Sequence, residues 1–184
     1  MPISTVSQKG LDAPLSLTAP NLGTPSAINL SNATALPKAA LPTGSVLQVV
    51  NATYATETSS ATGTLITSGL TVSITPLFST SRILVIVNLS GVSHTTNNTS
   101  VESYLRRNNV TDLALMSYIA AANDANGGNN TTDVGSVSIT FLDSPATTSS
   151  TSYSVWFKSQ QGNATVYVQR YGSRSSITVM EIAA

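Results

Sequence analysis

The residue types that carry catalysis are scarce in this chain. It has no cysteine and one histidine, His94, and its eight acidic residues are spread along the sequence. A Ser-His-Asp triad would have to use His94, which lies in the Ser/Thr/Asn-rich stretch 93–100, and we predict that it is an exposed loop histidine. The residue counts exclude a zinc site built from several histidines or thiolates.

Paired carboxylates are the remaining route to catalysis, because two acids at the right separation can cleave a glycosidic bond. The candidates are Glu102, Asp112, Asp124, Asp133 and Asp143. The chain has no internal repeat of the kind that long β-helical enzymes contain. We therefore expect solvated loop carboxylates at all of these positions except Asp143, which should organise an Asx-type turn before Pro145.

The Asn/Asp-rich loop 123–133 could offer oxygen ligands to calcium. It lacks the spaced carboxylates and the closing glutamate of a dedicated site. We predict no catalytic residues, no cofactor and no metal, and hence a non-enzymatic protein.

Aromatic residues concentrate in the C-terminal third, at Tyr153, Trp156, Phe157, Tyr167 and Tyr171. In a strand, alternation would place Tyr153 and Phe157 on one face and Trp156 on the other. An exposed tyrosine or tryptophan would suit stacking against a sugar ring. The alternative, which we favour, is a role in the core or at a subunit interface.

The composition limits the partners. Eight basic and eight acidic residues give a net charge of zero, and only 9% of residues are charged. The pair Arg106 and Arg107 is no basic stripe, so we predict no nucleic-acid binding. No apolar run approaches the ~18 residues of a membrane span, and we expect neither membrane insertion nor a secretory leader. An uncharged polar surface is typical of a protein that is part of an assembly, or whose surface is buried against copies of the same chain.

Eight to nine short β-like runs follow residue 44 and must position these side chains. They are 46–54, 64–67 with 70–75, 82–92, 101–108, 113–122, 134–142, 153–158, 165–171 and 176–182. They predict an all-β, antiparallel, jelly-roll-like sandwich over 44–184, in which the last three runs form a meander. The polar stretches 55–63, 93–100 and 123–133 are predicted loops, and the last two are the best candidates for recognition.

The run 82–92 is apolar on both faces. Ile83, Val85 and Val87 alternate with Leu84 and Ile86, which are also apolar. A sandwich core covers one face only, so a helix or another subunit must cover the second. The sequence offers little helix, and we predict a homotrimer.

Residues 1–43 differ from the rest of the chain. They contain six of the eight prolines, and leucine and isoleucine recur between them. Prolines at this spacing leave no room for a helix, which predicts an extended segment without a core of its own. Such an apolar segment either wraps its own domain, as in a monomer, or winds around two sister chains or docks into a larger particle, as in a fibre. We favour the fibre arrangement.

Two parts of the sequence carry a resemblance. The order FLDSPATTS, TSYSV, TVYVQR and SSITVMEIAA resembles the C-terminal knobs of fibre proteins of tailed bacteriophages, especially those of cyanobacterial viruses. The segment LGTPSAINLSNATALP resembles the connector ahead of such knobs.

The resemblance implies a fibre or tail-fibre protein of the virion, assembled in the host cytoplasm. Residues 1–43 would build the stalk or attach to tail, baseplate or head, and the knob 44–184 would bind a host glycan or protein. The alternatives are a carbohydrate-binding or head-decoration module and, less favoured, a polysaccharide-cleaving tailspike.

Overall fold

The computed structural model describes residues 37–94, 99–120, 135–162 and 164–184. The chain divides into two units, Met1–Leu36 and Pro37–Ala184, and the described residues all belong to the second. The predicted segment 1–43 therefore lies mostly outside the described residues, as do the loop 123–133 and its Asp124 and Asp133. The boundary between segment and knob remains a prediction.

The described residues form ten strands and two short 3-10 helices. The strands are β1 (Val46–Tyr54), β2 (Thr58–Ser60), β3 (Ile66–Ile74), β4 (Arg82–His94), β5 (Ser100–Arg107), β6 (Thr111–Ala120), β7 (Gly135–Asp143), β8 (Thr151–Ser159), β9 (Val166–Val168) and β10 (Ser175–Ile182). The helices are Lys38–Ala40 and Arg170–Gly172. Neither is long and apolar enough to cross a membrane.

The strands build two antiparallel sheets. In sheet 1, β10 lies between β1 and β4, and β7 pairs with the other side of β4. In sheet 2 the order is β3, β8, β5, β6. The first and last long strands, β1 and β10, are neighbours in sheet 1. The long strands next to them in the sequence, β3 and β8, are neighbours in sheet 2. This nested pairing of strands is that of a jelly roll. The predicted jelly-roll-like sandwich is confirmed.

The core lies between the sheets and follows the predicted alternation. In β3, Leu70, Val72 and Ile74 are buried, while Thr71 and Ser73 between them are exposed. Strands β4 and β8 contribute the same pattern from the two sheets. Each large apolar side chain buried in this way contributes about 1.5–3 kcal/mol, so strand alternation explains most of the architecture.

The predicted C-terminal meander is wrong. Strand β8 belongs to sheet 2, where it pairs with β3 and β5, while β10 pairs with β1 and β4 in sheet 1. The run 165–171 supplies only the three-residue β9, which pairs with β2 and the end of β4. Alternation determines which face of a strand is buried, but it does not determine which strand becomes its neighbour.

His94 is not an exposed loop residue, which corrects the prediction. Strand β4 continues through Ser93 and His94 to pair with β9, and the His94 side chain is buried. The predicted loop 93–100 is shorter than expected, since Ser100 already begins β5, and 95–98 lie outside the described residues. The stretch 55–63 also contains β2. The sequence patterns did not predict these short polar strands, because such strands bury little apolar area.

Candidate functional site

Asp143 has a structural role instead of organising a turn. It is buried at the end of β7, where both carboxylate oxygens accept hydrogen bonds from Arg107 Nη1, at 2.9 and 2.8 Å. Tyr153 Oη donates a third bond of 2.8 Å. Burial, reinforced by this bond to a carboxylate, raises the pKa of Tyr153. The Asx-turn prediction is wrong because a buried carboxylate needs partners that only distant strands supply.

Glu102 is not a solvated loop acid either. It lies on β5, nearly buried, and forms an ion pair with Lys158 Nζ at 3.1 Å. Tyr104 Oη also donates to Glu102, and this hydrogen bond, with a smaller contribution from burial, raises the pKa of Tyr104 to about 12. The prediction for Glu102 was wrong because this residue lies in the middle of a sheet, beside cross-strand partners.

Asp112 forms an ion pair with Arg106 Nε at 2.6 Å. Each of the three candidate acids that the structure describes is thus bound to a cation. Within the described ranges, no group of three or more His, Asp or Glu side chains could hold a metal ion. These acids stabilise strands and offer no free acid-base pair.

The outer face of sheet 2 is polar and aromatic. Trp156 points to this face, as predicted, while Tyr153 and Phe157 are fully buried on the other. The Arg106 guanidinium lies 4.8 Å from the Trp156 ring centroid. Trp156 Nε1 donates to Ser154 Oγ at 2.9 Å. The ring is therefore half-buried and already has a cationic partner on this face.

The outer face of sheet 1 is apolar at one end. Four apolar side chains in register cross its four long strands, and we call them the apolar row: Val49, Met180, Leu84 and Leu142. Val49 is 54% exposed and Leu142 46% exposed, and the two between them are half-buried. Facing partners in an antiparallel sheet point to the same side, so the four form one continuous strip.

A cavity of about 430 Å³ lies at one end of the apolar row, beside Leu142, and is also lined by Arg82, Ile182, Ala183 and Ala184. In the other direction, Ile86 is 39% exposed but pairs with Thr178 and Thr140, so the apolar surface ends there. The sequence indicated this face from Leu84 and Ile86, but only the strand register could show that its centre is Leu84.

A turn after β9 forms a third surface, which we call the tyrosine-arginine turn (Tyr167, Arg170 and Tyr171). The Arg170 guanidinium lies 4.3 Å from the ring centroid of Tyr167 and 5.1 Å from that of Tyr171. Tyr171 is 74% exposed. The sequence marked both tyrosines as candidates for stacking. It did not reveal that the Arg170 guanidinium lies over both rings, because the turn backbone is not a continuation of the strand.

Comparisons with known proteins show no family for this chain. No family profile and no curated protein matches the sequence. Among solved structures, the VP2 subviral particle of infectious bursal disease virus matches with 15% identity and a TM-score of 0.43, covering 74% of this chain and 32% of that chain. The structure of the Gx strain of the same virus matches with 15% identity and a TM-score of 0.35, with the same coverage of 74% and 32%. The chain thus spans about a third of the length of the solved chains it matches.

Proposed function

We propose that this protein is a non-enzymatic structural protein of a virus particle, and that copies of it assemble through the apolar row. The single observation that carries the proposal is the apolar row, whose exposed and half-buried side chains cross all four long strands of sheet 1. The jelly roll is a fold of viral capsid proteins and lectins. Since a fold alone does not define a function, the argument depends on the surface.

The composition supports self-association. Only 9% of residues are charged and the net charge is zero, so charge repulsion does little to keep copies apart. A contiguous apolar strip on a surface of this kind would be a liability in a monomer. Burial against a second copy removes Val49 and Leu142 from water together, and closed symmetry is the usual way to cover such a surface.

The finer proposal is a fibre or tail-fibre component of a bacteriophage that forms a homotrimer in the virion. Residues 1–43 would attach it to tail, baseplate or head, and the sandwich would contact a glycan or protein of the host surface. Support comes from the sequence resemblance to phage fibre knobs and from the proline-rich segment. A three-fold axis suits this arrangement because three extended segments can wind about it.

The test compares two leucines of similar exposure on the edge strands of opposite sheets. Leu142 in β7 is 46% exposed and belongs to the apolar row, whereas Leu115 in β6 is 51% exposed and lies in sheet 2. We propose Leu142→Asp as the test variant and Leu115→Asp as its matched control. Sedimentation velocity over a wide concentration range measures association, and circular dichroism measures the fold.

Leu142→Asp is expected to weaken association by at least about tenfold per interface. Burying a neutral polar group without a partner already costs ~1–3 kcal/mol and an unpaired carboxylate costs more, while a tenfold change is only ~1.4 kcal/mol. Leu115→Asp should leave the mass of the assembly unchanged. Equal loss in both variants, or a wild-type chain that stays monomeric at high concentration, would contradict the proposal.

The second candidate is a monomeric carbohydrate-binding module. The exposed Tyr171 and the half-buried Trp156, each beside an arginine, favour it. Glycan binding by a stable monomer would support this candidate over the first.

A further inference from the structure

The tyrosine-arginine turn has an unusual backbone. Gln169 and Tyr171 have φ values of 52° and 58°, in the left-handed region. Residues other than glycine adopt this conformation infrequently, and for a bulky side chain it is a true outlier. Such conformations persist only where the surrounding structure enforces them, and they cluster at ligand-binding positions.

Several contacts hold this backbone in place. The Gln169 side chain is fully buried, and its Nε2 donates to Ser175 Oγ at 3.1 Å. The Gln169 N–H donates to the Ser90 carbonyl at 2.9 Å. Gly91 lies directly against the turn, because a Cβ added there would be 2.3 Å from the Arg170 nitrogen. The turn is therefore rigid, and a ligand would not have to order it on binding.

Among the described residues, Arg170 has no carboxylate partner. Its Nη1 donates to Ser93 Oγ at 2.9 Å, and its guanidinium lies over the rings of both Tyr167 and Tyr171. The three ion pairs found in the described part of the chain use Arg106, Arg107 and Lys158 instead. A guanidinium held in this way can offer its remaining donors to a carboxylate or another oxyanion.

Tyr171 supplies an isolated apolar face beside this cation. Among the described residues, the other large exposed apolar side chains lie outside β9 and its turn. The neighbouring exposed groups are polar: the Tyr171 N–H donates to Glu57 Oε2 at 3.0 Å, and Arg174 follows the turn. A protein interface requires a wider apolar centre, whereas one aromatic face surrounded by polar groups matches a sugar ring.

We propose that Tyr167, Arg170 and Tyr171 form a binding site for an acidic carbohydrate. One sugar ring packs on the exposed face of Tyr171, and its carboxylate or sulfate accepts hydrogen bonds from Arg170. The second carboxylate oxygen of Glu57 accepts a hydrogen bond from a sugar hydroxyl. The site deepens the attachment part of the proposed function and relies on it for its biological role, while binding itself does not require assembly.

The experiment measures binding of defined probes to the full chain by saturation-transfer NMR and calorimetry. The probes are 3′-sialyllactose, an oligogalacturonate and a chondroitin sulfate oligosaccharide, with lactose as the neutral reference. The first two test a carboxylate, and the third carries a sulfate as well. Lower affinity in high salt is expected for the acidic probes, because the contact is electrostatic.

The variants test separately the charge of Arg170, the aromatic ring of Tyr171 and the backbone conformation at position 171. Arg170→Gln removes the guanidinium, and Arg174→Gln makes the same charge change at a neighbouring exposed arginine. Tyr171→Gly removes the ring and favours the left-handed backbone, whereas Tyr171→Phe keeps the ring. Circular dichroism and thermal melting confirm the fold of each.

At least one acidic probe should bind more tightly than lactose. Arg170→Gln should weaken that binding at least about tenfold, as expected for loss of charge-assisted hydrogen bonds, and Tyr171→Gly should also weaken it. Tyr171→Phe and Arg174→Gln should remain close to wild type. The proposal is overturned if no acidic probe exceeds lactose, or if Arg170→Gln binds as wild type. Failure here would leave the sedimentation behaviour unchanged, so it is distinguishable from failure of the assembly proposal.

Discussion

The contacts of buried Asp143 with buried Tyr153 and partly exposed Arg107 give a specific prediction about stability. Tyr153→Phe removes one of three hydrogen bonds to the Asp143 carboxylate and leaves the aromatic ring in the core. A hydrogen bond to a charged group contributes about 1.5–3 kcal/mol. Tyr153→Phe also removes the cost of burying the hydroxyl group. We therefore expect the free energy of unfolding to fall by an amount at the lower end of this range, roughly 1.5 kcal/mol.

Arg107→Met should cost more. It leaves Asp143 buried with a single donor, and removing one partner of a buried ion pair typically costs about 3–5 kcal/mol. Because Arg107 is partly exposed, water can reach the vacated position, so we expect about 3 kcal/mol. That is a large part of the ~5–15 kcal/mol by which most domains are stable.

Urea unfolding followed by circular dichroism measures both changes, and a third variant, Asp143→Asn, completes the set. With the carboxylate gone, Tyr153→Phe should cost less in a chain that already carries Asp143→Asn than in the wild type. If Tyr153→Phe changes the free energy of unfolding by less than about 0.5 kcal/mol in both backgrounds, the Tyr153 hydroxyl does not stabilise Asp143 and this reasoning is refuted.

Three further predictions concern other parts of the chain. Burial raises the pKa of Glu181, but hydrogen bonds from Gln48 and two backbone N–H groups outweigh it and lower the pKa below its ordinary 4.5. The stability that this group contributes is thus present above pH 4.5 and lost as pH falls through the folded pKa, and Glu181→Gln should flatten the acid limb of urea midpoints measured against pH. Gly91→Ala should lower thermal stability and acidic-sugar binding together, because its Cβ meets the Arg170 backbone; an unchanged melting temperature would contradict this contact. Deleting residues 1–43 should leave a folded sandwich with the dichroism of the full chain, and loss of that signal would show that the segment belongs to the domain.

Strand positions were largely predictable from the sequence. The run 46–54 matches β1 residue for residue, because the pattern changes at Gly44 and Thr53 and Tyr54 add strand propensity at its end. The side of the sheet to which Trp156 points followed from the period of two in a strand.

Strand pairing and the polar contacts were not predictable. The partners of Asp143 come from β5 and β8, and no local pattern relates them to FLDSPATT. The tyrosine-arginine turn depends on left-handed backbone at non-glycine residues, which local preferences argue against. Such conflicts between local preference and structure are expected at functional sites.

The most direct test of the central claim is the mass of the wild-type chain in solution, measured by sedimentation equilibrium. The chain has a mass of 19.0 kDa. Assembly through the apolar row in a homotrimer predicts a species of about three times that mass, which Leu142→Asp dissociates and Leu115→Asp does not. A single species of 19.0 kDa at every concentration, with the fold intact, would contradict it.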